Sequence, residues 1–584
     1  RVYSLGYKVM KIIYVLPYKV FTITIYYVKR WYRTTKPSLG STVLLLFMLS
    51  LSTITVSADL TGLTNVTGEN DSCAQEYHFI SQAIHSNEPD ILLSALTRWY
   101  RMYKETGIQK FNGGVTEHIN DINGNGVLDE HDSRWIYFNL GELGDNLYAV
   151  DLTNAEQPSI MWEINSLTPG FSSLAQAWSK PKVIYTKFNS VNEVAKETLL
   201  FAGGYDTNKN KPGIGTDDHK GNAIYMVDAR TGKPIWSLSE NGTTAFAGVD
   251  SIPSSVSILD SNGDGYVDRL YVGDTGGNVW RVNMPTESID DITLHKLANL
   301  GRHANNPDQR FFYEPTIVRA LIPQPHILNH IDSDGVIRNE VSYREQAHDV
   351  ILLGSGKQIN RNELDPSKAS AYLAEEVINS FYMIKDSNII TFSKNHNANQ
   401  YQANLSEPPR EIVKAQLYDL TNNPLQRLNN KAEQESFKLA LGNMSGWFIN
   451  YKKIKEKTTS TAVVVNNRAL FTTTSALSTS TSDSCEELIK EHWLYGVDMN
   501  YGVSRYNWPE KILENDKRIM SLGKGEYNKS KTIQIKNESQ TSLETNTESN
   551  AASNHINILL GSTIIDGSIV LEDKRNYLYI TEKD

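Results

Sequence analysis

Tyr225-Met226-Val227-Asp228-Ala229-Arg230-Thr231-Gly232-Lys233-Pro234-Ile235-Trp236 reads as a strand, a tight turn and a second strand that ends in an indole. The aromatic and the two β-formers behind it suit a pleated, buried strand, and Asp-x-x-x-Gly supplies the turn. The unit recurs. Tyr148-Ala149-Val150-Asp151 carries it with Trp162 downstream. Weaker copies are Trp280-Arg281-Val282-Asn283, Tyr382-Met383-Ile384-Lys385-Asp386 and Tyr495-Gly496-Val497-Asp498. The copies fall at irregular intervals, so loops interrupt the repeat. A sheet built from such a unit cannot bury both faces alone, and neighbours stacked around an axis solve that problem. The expectation is an all-β chain: a modified β-propeller of about seven blades, with the aromatic near each outer strand. A β-sandwich explains the Asp-x-x-x-Gly-x-x-x-Trp cadence less well.

Outside the repeat the texture changes. Residues 1–58 read as a leader: an apolar stretch from Leu39 to Leu51 follows Lys29, Arg30, Arg33 and Lys36, and it runs into Val56-Ser57-Ala58. That order is a secretory signal, and the apolar stretch is short for a membrane span. The expectation is export through the inner membrane with no stable span after cleavage. Residues 59–109 form an extended and helical segment. Ile80 to Lys104 reads as a helix, with Leu92, Leu96, Trp99 and Tyr103 at helical spacing and a start signal at Pro89-Asp90. The propeller occupies 110–584. Residues 360–372 and 425–440 read as helical or loop-like insertions, and a low-complexity insertion near 536–553 reads as a flexible loop. The run from Ile556 to Leu571 supplies a closing strand or two.

Composition excludes several classes. A net charge of −10 without a long basic run after residue 60 argues against nucleic acid as a partner. The two cysteines, Cys73 and Cys485, form no zinc or redox pattern. In an exported chain they either pair as a disulfide or stay separate thiols. There is no nucleophile elbow, zinc-protease motif or phosphate loop. His303, His326 and His330 read as solvent-facing loop residues. Gly273-Asp274-Thr275-Gly276-Gly277-Asn278 turns one strand into another and has no following helix to hold a phosphate. The chain therefore reads as a non-enzyme.

One loop carries a chemical signal. In Asp260-Ser261-Asn262-Gly263-Asp264-Gly265-Tyr266-Val267-Asp268, oxygen-bearing side chains stand at positions one, three, five and nine, and glycine at six. A hard cation takes six to eight oxygens, and a loop wound around it points alternate side chains inward. Asp260, Asn262, Asp264 and Asp268 would supply side-chain donors, with Tyr266 offering its backbone carbonyl; Ca2+ is the expected ion. Position twelve is Tyr271 and a strand follows, so this is not an EF-hand. A second loop has the same grammar: Asp121, Asn123, Asn125, Val127 through its carbonyl, and Asp129, with Asp132 at position twelve. Two amides replace carboxylates there, so it either binds more weakly or is a metal-free turn. Asp332-Ser333-Asp334-Gly335 reads as a plain turn.

From Asp260 through Tyr271-Val272-Gly273-Asp274-Thr275-Gly276-Gly277-Asn278-Val279-Trp280-Arg281-Val282 the sequence closely resembles the calcium-loop strand pair of the PilY/PilC family of type IV pilus biogenesis factors and tip adhesins. Ser251-Ile252-Pro253-Ser254, Ala177-Trp178-Ser179-Lys180-Pro181, Gly203-Gly204-Tyr205-Asp206, Phe312-Tyr313-Glu314-Pro315 and Leu353-Gly354-Ser355-Gly356-Lys357 agree with it. The resemblance implies a roughly seven-bladed propeller that supports pilus assembly. Calcium occupancy would govern pilus extension against retraction, and with them adhesion and twitching motility. It implies pilus subunits and minor pilins as partners, a host surface receptor as a candidate, and a place at the pilus tip, the outer membrane surface or the periplasm. Two alternatives stand beside it. Asp228 to Trp236 also looks like the tryptophan-docking repeat of quinoprotein dehydrogenases, and a metal-free outer-membrane assembly scaffold could use a similar propeller.

Overall fold

The computed structural model divides the chain into two compact units, Arg1–Gln75 and Glu76–Asp584. It describes Ala83 and residues 89–106, 114–121, 132–191, 194–210, 217–285, 288–301, 309–331, 333–357, 377–389, 410–453, 455–476, 490–504, 516–524, 533–538, 555–560 and 563–565, all in the second unit. The leader, Cys73 and Cys485, and residues 360–372 lie outside the described residues.

Five sheets of four or five strands follow one another along the chain. The first is β1 (Val115–Asn120), β2 (Ser133–Asn139), β3 (Leu147–Asp151) and β4 (Ser159–Ile164), paired in that order. The second runs β5 (Lys182–Val191), β6 (Val194–Ala202), β7 (Ile224–Asp228), β8 (Pro234–Ser239) and β9 (Thr244–Ala245). In the third, β10 (Ser257–Leu259), β11 (Arg269–Gly273), β12 (Asn278–Asn283) and β13 (Thr293–Asn299) are joined by a parallel strand, β17 (Ile412–Val413). The fourth is β14 (Thr316–Ile331), β15 (Ile337–Gly354), β16 (Ser380–Asp386), β19 (Gly446–Asn450) and β18 (Tyr418–Asp419). The fifth is β20 (Lys457–Thr458), β22 (Arg468–Ala476), β23 (Lys490–Asp498) and β24 (Ile519–Lys524), with β21 (Val463–Val465) also on β22. A three-stranded sheet is formed by β25 (Ile533–Glu538), β26 (His555–Leu560) and β27 (Thr563–Ile565), of which β26 and β27 lie in the stretch expected to supply a closing strand or two.

The five repeat copies map one to one onto the five blades, always on the third strand: β3, β7, β12, β16 and β23. This corrects the expected position. The aromatic marks the inside of each blade, because a strand flanked by two others packs a neighbouring blade on each face. The described residues hold five such blades rather than about seven. The surplus assumed degenerate copies, and no further four-stranded sheet stands among the described residues.

Alternation of side chains binds each blade to the next. Tyr137, Ala149, Leu199, Tyr225 and Val227 fill the space between the first and second. Leu200, Met226 and Trp236 meet Leu270, Val272 and Val282 between the second and third. Tyr271 and Val279 meet Ile351, Tyr382 and Ile384 between the third and fourth. Val350, Met383 and Trp447 meet Phe471, Trp493 and Tyr495 between the fourth and fifth. There Phe381 stacks on Phe471, with centroids 3.7 Å apart and planes 3° from parallel. Trp162 of the first blade docks onto the repeat turn of the second. Its Nε1 donates to the Ala229 carbonyl at 3.0 Å, and its ring lies against Gly232.

Helix α1 (Pro89–Thr106) covers the remaining face of the first blade, where Leu96 and Trp99 bury against Ile136, Phe138, Tyr148 and Val150. It begins at the expected Pro89-Asp90 signal, since proline suits the first helical position, and Ala83, the one described residue of 80–88, is also helical. Helices α2 (Pro424–Arg427) and α3 (Lys431–Gly442) fill the insertion expected at 425–440. Asp334-Gly335 does form a turn, at the tip of the long β14–β15 hairpin, with Gly335 at φ +74°. His326 is exposed as expected, but it sits on β14 and not in a loop; His303 lies outside the described residues.

Gly204 shows why one family-like segment needs its glycine. Its φ is +95°, and a Cβ there would come within 2.0 Å of the Gln176 carbonyl oxygen, the acceptor of the Tyr205 N–H. Gly204→Ala is expected to cost about 1–3 kcal/mol through left-handed strain and that clash. A urea midpoint equal to the parent's would contradict this placement.

Candidate metal centre in the third blade

Residues 260–268 join β10 to β11, the first two strands of the third blade. The hairpin closes at Leu259 opposite Arg269, and Asp268 N–H donates to the Leu259 carbonyl at 2.9 Å. Gly263 and Gly265 take φ +72° and +86° with open space around each Cβ position. Conformation, not crowding, demands glycine here, because both backbones are left-handed.

The acidic side chains organise the loop from inside. Asp260 accepts N–H bonds from Gly263 (2.7 Å), Asp264 (3.2 Å) and Gly265 (2.8 Å). Asn262 Oδ1 accepts from Asp264 N–H at 2.9 Å, and Asp264 Oδ1 from Tyr266 N–H at 3.0 Å. Asp268 is 1% exposed; its Oδ2 accepts from Ser261 N–H (2.7 Å) and Ser261 Oγ (2.6 Å). Asp268 Oδ1 is buried and has no hydrogen-bond partner. Burial pushes this carboxyl up to about 6, the nearby charges of Asp264 and Asp260 add to the rise, and the Ser261 bonds oppose it.

The donor chemistry fits a hard divalent cation: three carboxylates, one amide and a backbone carbonyl, with one buried carboxylate oxygen left over. A carboxylate has about four lone-pair sites, so an oxygen that accepts an amide hydrogen keeps capacity for an ion. The arrangement is nonetheless open. Among the described residues no three His, Cys, Asp or Glu side chains are gathered into a closed metal cluster. Asp264 in particular turns its Oδ2 to Lys187 Nζ, 3.2 Å away on β5 of the second blade.

Sequence reasoning missed the cations around this loop. Besides Lys187, Arg319 of β14 donates to the Ser261 carbonyl (3.4 Å) while gripping Asp349 at 2.8 and 3.1 Å. Arg269, the residue after the loop, reaches the same Asp349 at 2.9 Å. Arg281 pairs with Asp386 at 2.6 and 2.8 Å, and Tyr271 Oη joins it at 3.2 Å. An arginine at an inward position of an apolar strand signals a buried partner. Its spacing does not say which one, because the partners lie in another blade.

A second buried polar group explains the segments around Gly203–Asp206 and Ser251–Ser254. Lys209 Nζ lies 2.5 Å from Asp250 and 4.0 Å from Asp218, all with essentially no exposed side chain. Asp218 accepts from Ser251 N–H (2.7 Å) and Thr275 Oγ1 (2.8 Å). In the glycine-rich turn Asp274 accepts from Asn278 and from Trp280 Nε1 (2.7 Å), and burial pushes its carboxyl up to about 7. The turn is a scaffold for β11 and β12, as read. Of the second expected loop, Asp121 follows β1 and Asp132 precedes β2, buried at 3% exposure, while Asn123, Asn125, Val127 and Asp129 lie outside the described residues.

Comparison with known proteins places these features. Residues 56–371, more than half of the chain, match the family model described as the PilY1 beta-propeller domain. That span contains the 260–268 loop and reaches into the fourth blade. The type IV pilus biogenesis factor PilY1 of Pseudomonas aeruginosa (strain UCBPP-PA14) is 28% identical over 196 residues, 33% of this chain and 15% of that protein's length. The PilY1 homolog of Xylella fastidiosa is 23% identical over 154 residues, 25% of this chain and 9% of that protein. The chain thus aligns with only a small part of these relatives. The crystal structure of the Pseudomonas aeruginosa PilY1 C-terminal domain superposes with a TM-score of 0.45 at 14% identity, over 75% of this chain and 81% of that one. On the match over residues 56–371, with the repeat on the third strand of each blade and the oxygen-rich loop between β10 and β11, this chain belongs to the PilY1 β-propeller family.

Proposed function

We propose that this chain is an exported, non-enzymatic propeller that acts in type IV pilus biogenesis, and that its 260–268 loop holds a calcium ion. Membership of the PilY1 propeller family carries the first part, and it stands against the quinoprotein alternative. The buried, unpartnered Oδ1 of Asp268 beside Asp260 and Asp264 supports the second. Asp260, Asn262, Asp264 and Asp268 would hold the ion with the Tyr266 carbonyl, and the ion would supply charge neutralisation. Residues Arg319 and Lys187 would feel the loop's conformation from the fourth and second blades. Pilus subunits and minor pilins are the proposed partners, a host surface receptor a further candidate, and pilus extension against retraction the proposed output. Adhesion and twitching motility would follow from it, at the pilus tip, outer membrane surface or periplasm. Among the described residues no helix is long and apolar enough to cross a membrane.

Two measurements test this. Deleting the gene should reduce surface piliation and twitching, and normal piliation and motility in a clean deletion would defeat the pilus role. Calorimetric titration with calcium should show binding by the whole chain. Asp264→Ala should weaken it more than about tenfold by removing a central donor; equal affinities would refute the loop assignment.

A further inference from the structure

The loop's fifth position is already in contact with a cation that belongs to the protein. Lys187 Nζ lies 3.2 Å from Asp264 Oδ2, with side chains 16% and 6% exposed. The same ammonium sits 5.8 Å from the centroid of the Tyr266 ring. Lys187 is held in place rather than wandering. The β5–β6 register shifts between Tyr185 and Ser190, which sets this part of β5 off its partner strand. The Tyr185 carbonyl also accepts the Val267 N–H at 3.0 Å, tying β5 to the loop's exit. On the other flank Arg319 binds only a carbonyl of the loop, that of Ser261, and spends its charge on Asp349.

We infer that Lys187 is a tethered competitor for the loop's cation: its ammonium and a divalent ion share Asp264, so one is bound at the other's expense. This rests on the reading of 260–268 as a divalent-ion loop. The physics is a choice between counter-ions. The Asp264 side chain is 6% exposed, and like charges repel, so an ammonium and a dication cannot share its carboxylate closely without penalty. Ion binding therefore draws Asp264 into the loop and frees Lys187. Strand β5, the first of the second blade, loses an anchor in the third blade. Occupancy of one blade is thereby reported at the surface of its neighbour, and the affinity is set below what the loop's own donors would give.

The test is a double-mutant cycle on the full chain, read by calcium calorimetry and by melting in chelator and in saturating calcium. Lys187→Gln should tighten calcium binding about 3- to 10-fold, the range that loss of a partly buried ion pair spans. Lys187→Arg, which keeps the charge, should stay near the parent. In an Asp264→Asn background, Lys187→Gln should change affinity less than about twofold. Lys187→Gln should lower the melting temperature in chelator, and saturating calcium should abolish that difference. If the parent binds calcium and Lys187→Gln leaves its affinity unchanged, the competition is overturned while the loop assignment survives. If Lys187→Gln tightens binding equally with Asn at 264, Lys187 acts only as a distant charge, and the inference is again overturned. A parent chain that binds no calcium overturns the loop assignment and this inference together.

Discussion

Asp386→Ala should lower the free energy of unfolding by about 3–5 kcal/mol, the cost of stripping one partner from a buried ion pair. Asp386 ends β16 in the fourth blade and takes Arg281 Nη1 on both oxygens, at 2.8 and 2.6 Å, from β12 in the third. Both side chains are essentially sealed from solvent, and Arg281 Nε and Nη2 have no hydrogen-bond partner. Removing the carboxylate leaves a guanidinium in a site that cannot hydrate it, and also deprives Tyr271 Oη of its acceptor. Asp386→Asn keeps an acceptor and should fall between. Replacing both members with apolar residues, Arg281→Met with Asp386→Leu, should recover much of the loss, because the desolvation cost disappears with the charges. Urea unfolding monitored by tryptophan fluorescence gives the comparison. A parent-like midpoint for Asp386→Ala would mean the pair does not join the two blades as drawn.

The second large effect is expected at the first position of the loop. Asp260→Ala should reduce calcium affinity by about 100-fold or more, since it removes a donor and the group that shapes the site. Asp260 accepts three consecutive amide hydrogens, from Gly263, Asp264 and Gly265. Its loss should also release those amides to exchange, and this can be measured in chelator, independently of any ion. Unchanged amide protection would show that the turn holds itself without Asp260. Unchanged affinity, with faster exchange, would place the ion elsewhere.

Much of the fold was legible because its signals are local. The third strand of every blade announced itself as an aromatic and β-formers ending, in most copies, in Asp or Asn. Gly265, at the sixth position of the loop, marked the tight reversal. The misreadings have equally local causes. An aromatic beside β-formers shows that a strand is buried, but not whether it lies third or outermost in its sheet, so the position within the blade was wrong. Extrapolating to about seven blades assumed worn copies of the repeat, whereas each of the five described blades carries a visible one.

By itself the sequence determined the β class, the repeat, and the order of oxygen donors along residues 260–268, because period-two burial and turn chemistry act over a few neighbouring residues. Only the tertiary structure decided that Lys187 reaches Asp264, that Arg281 finds Asp386 across 105 residues, and that Lys209 is sunk between Asp218 and Asp250. Those pairings depend on which blade packs against which. Blade packing is set by apolar faces summed over whole sheets, and charge partners follow wherever that packing excludes water.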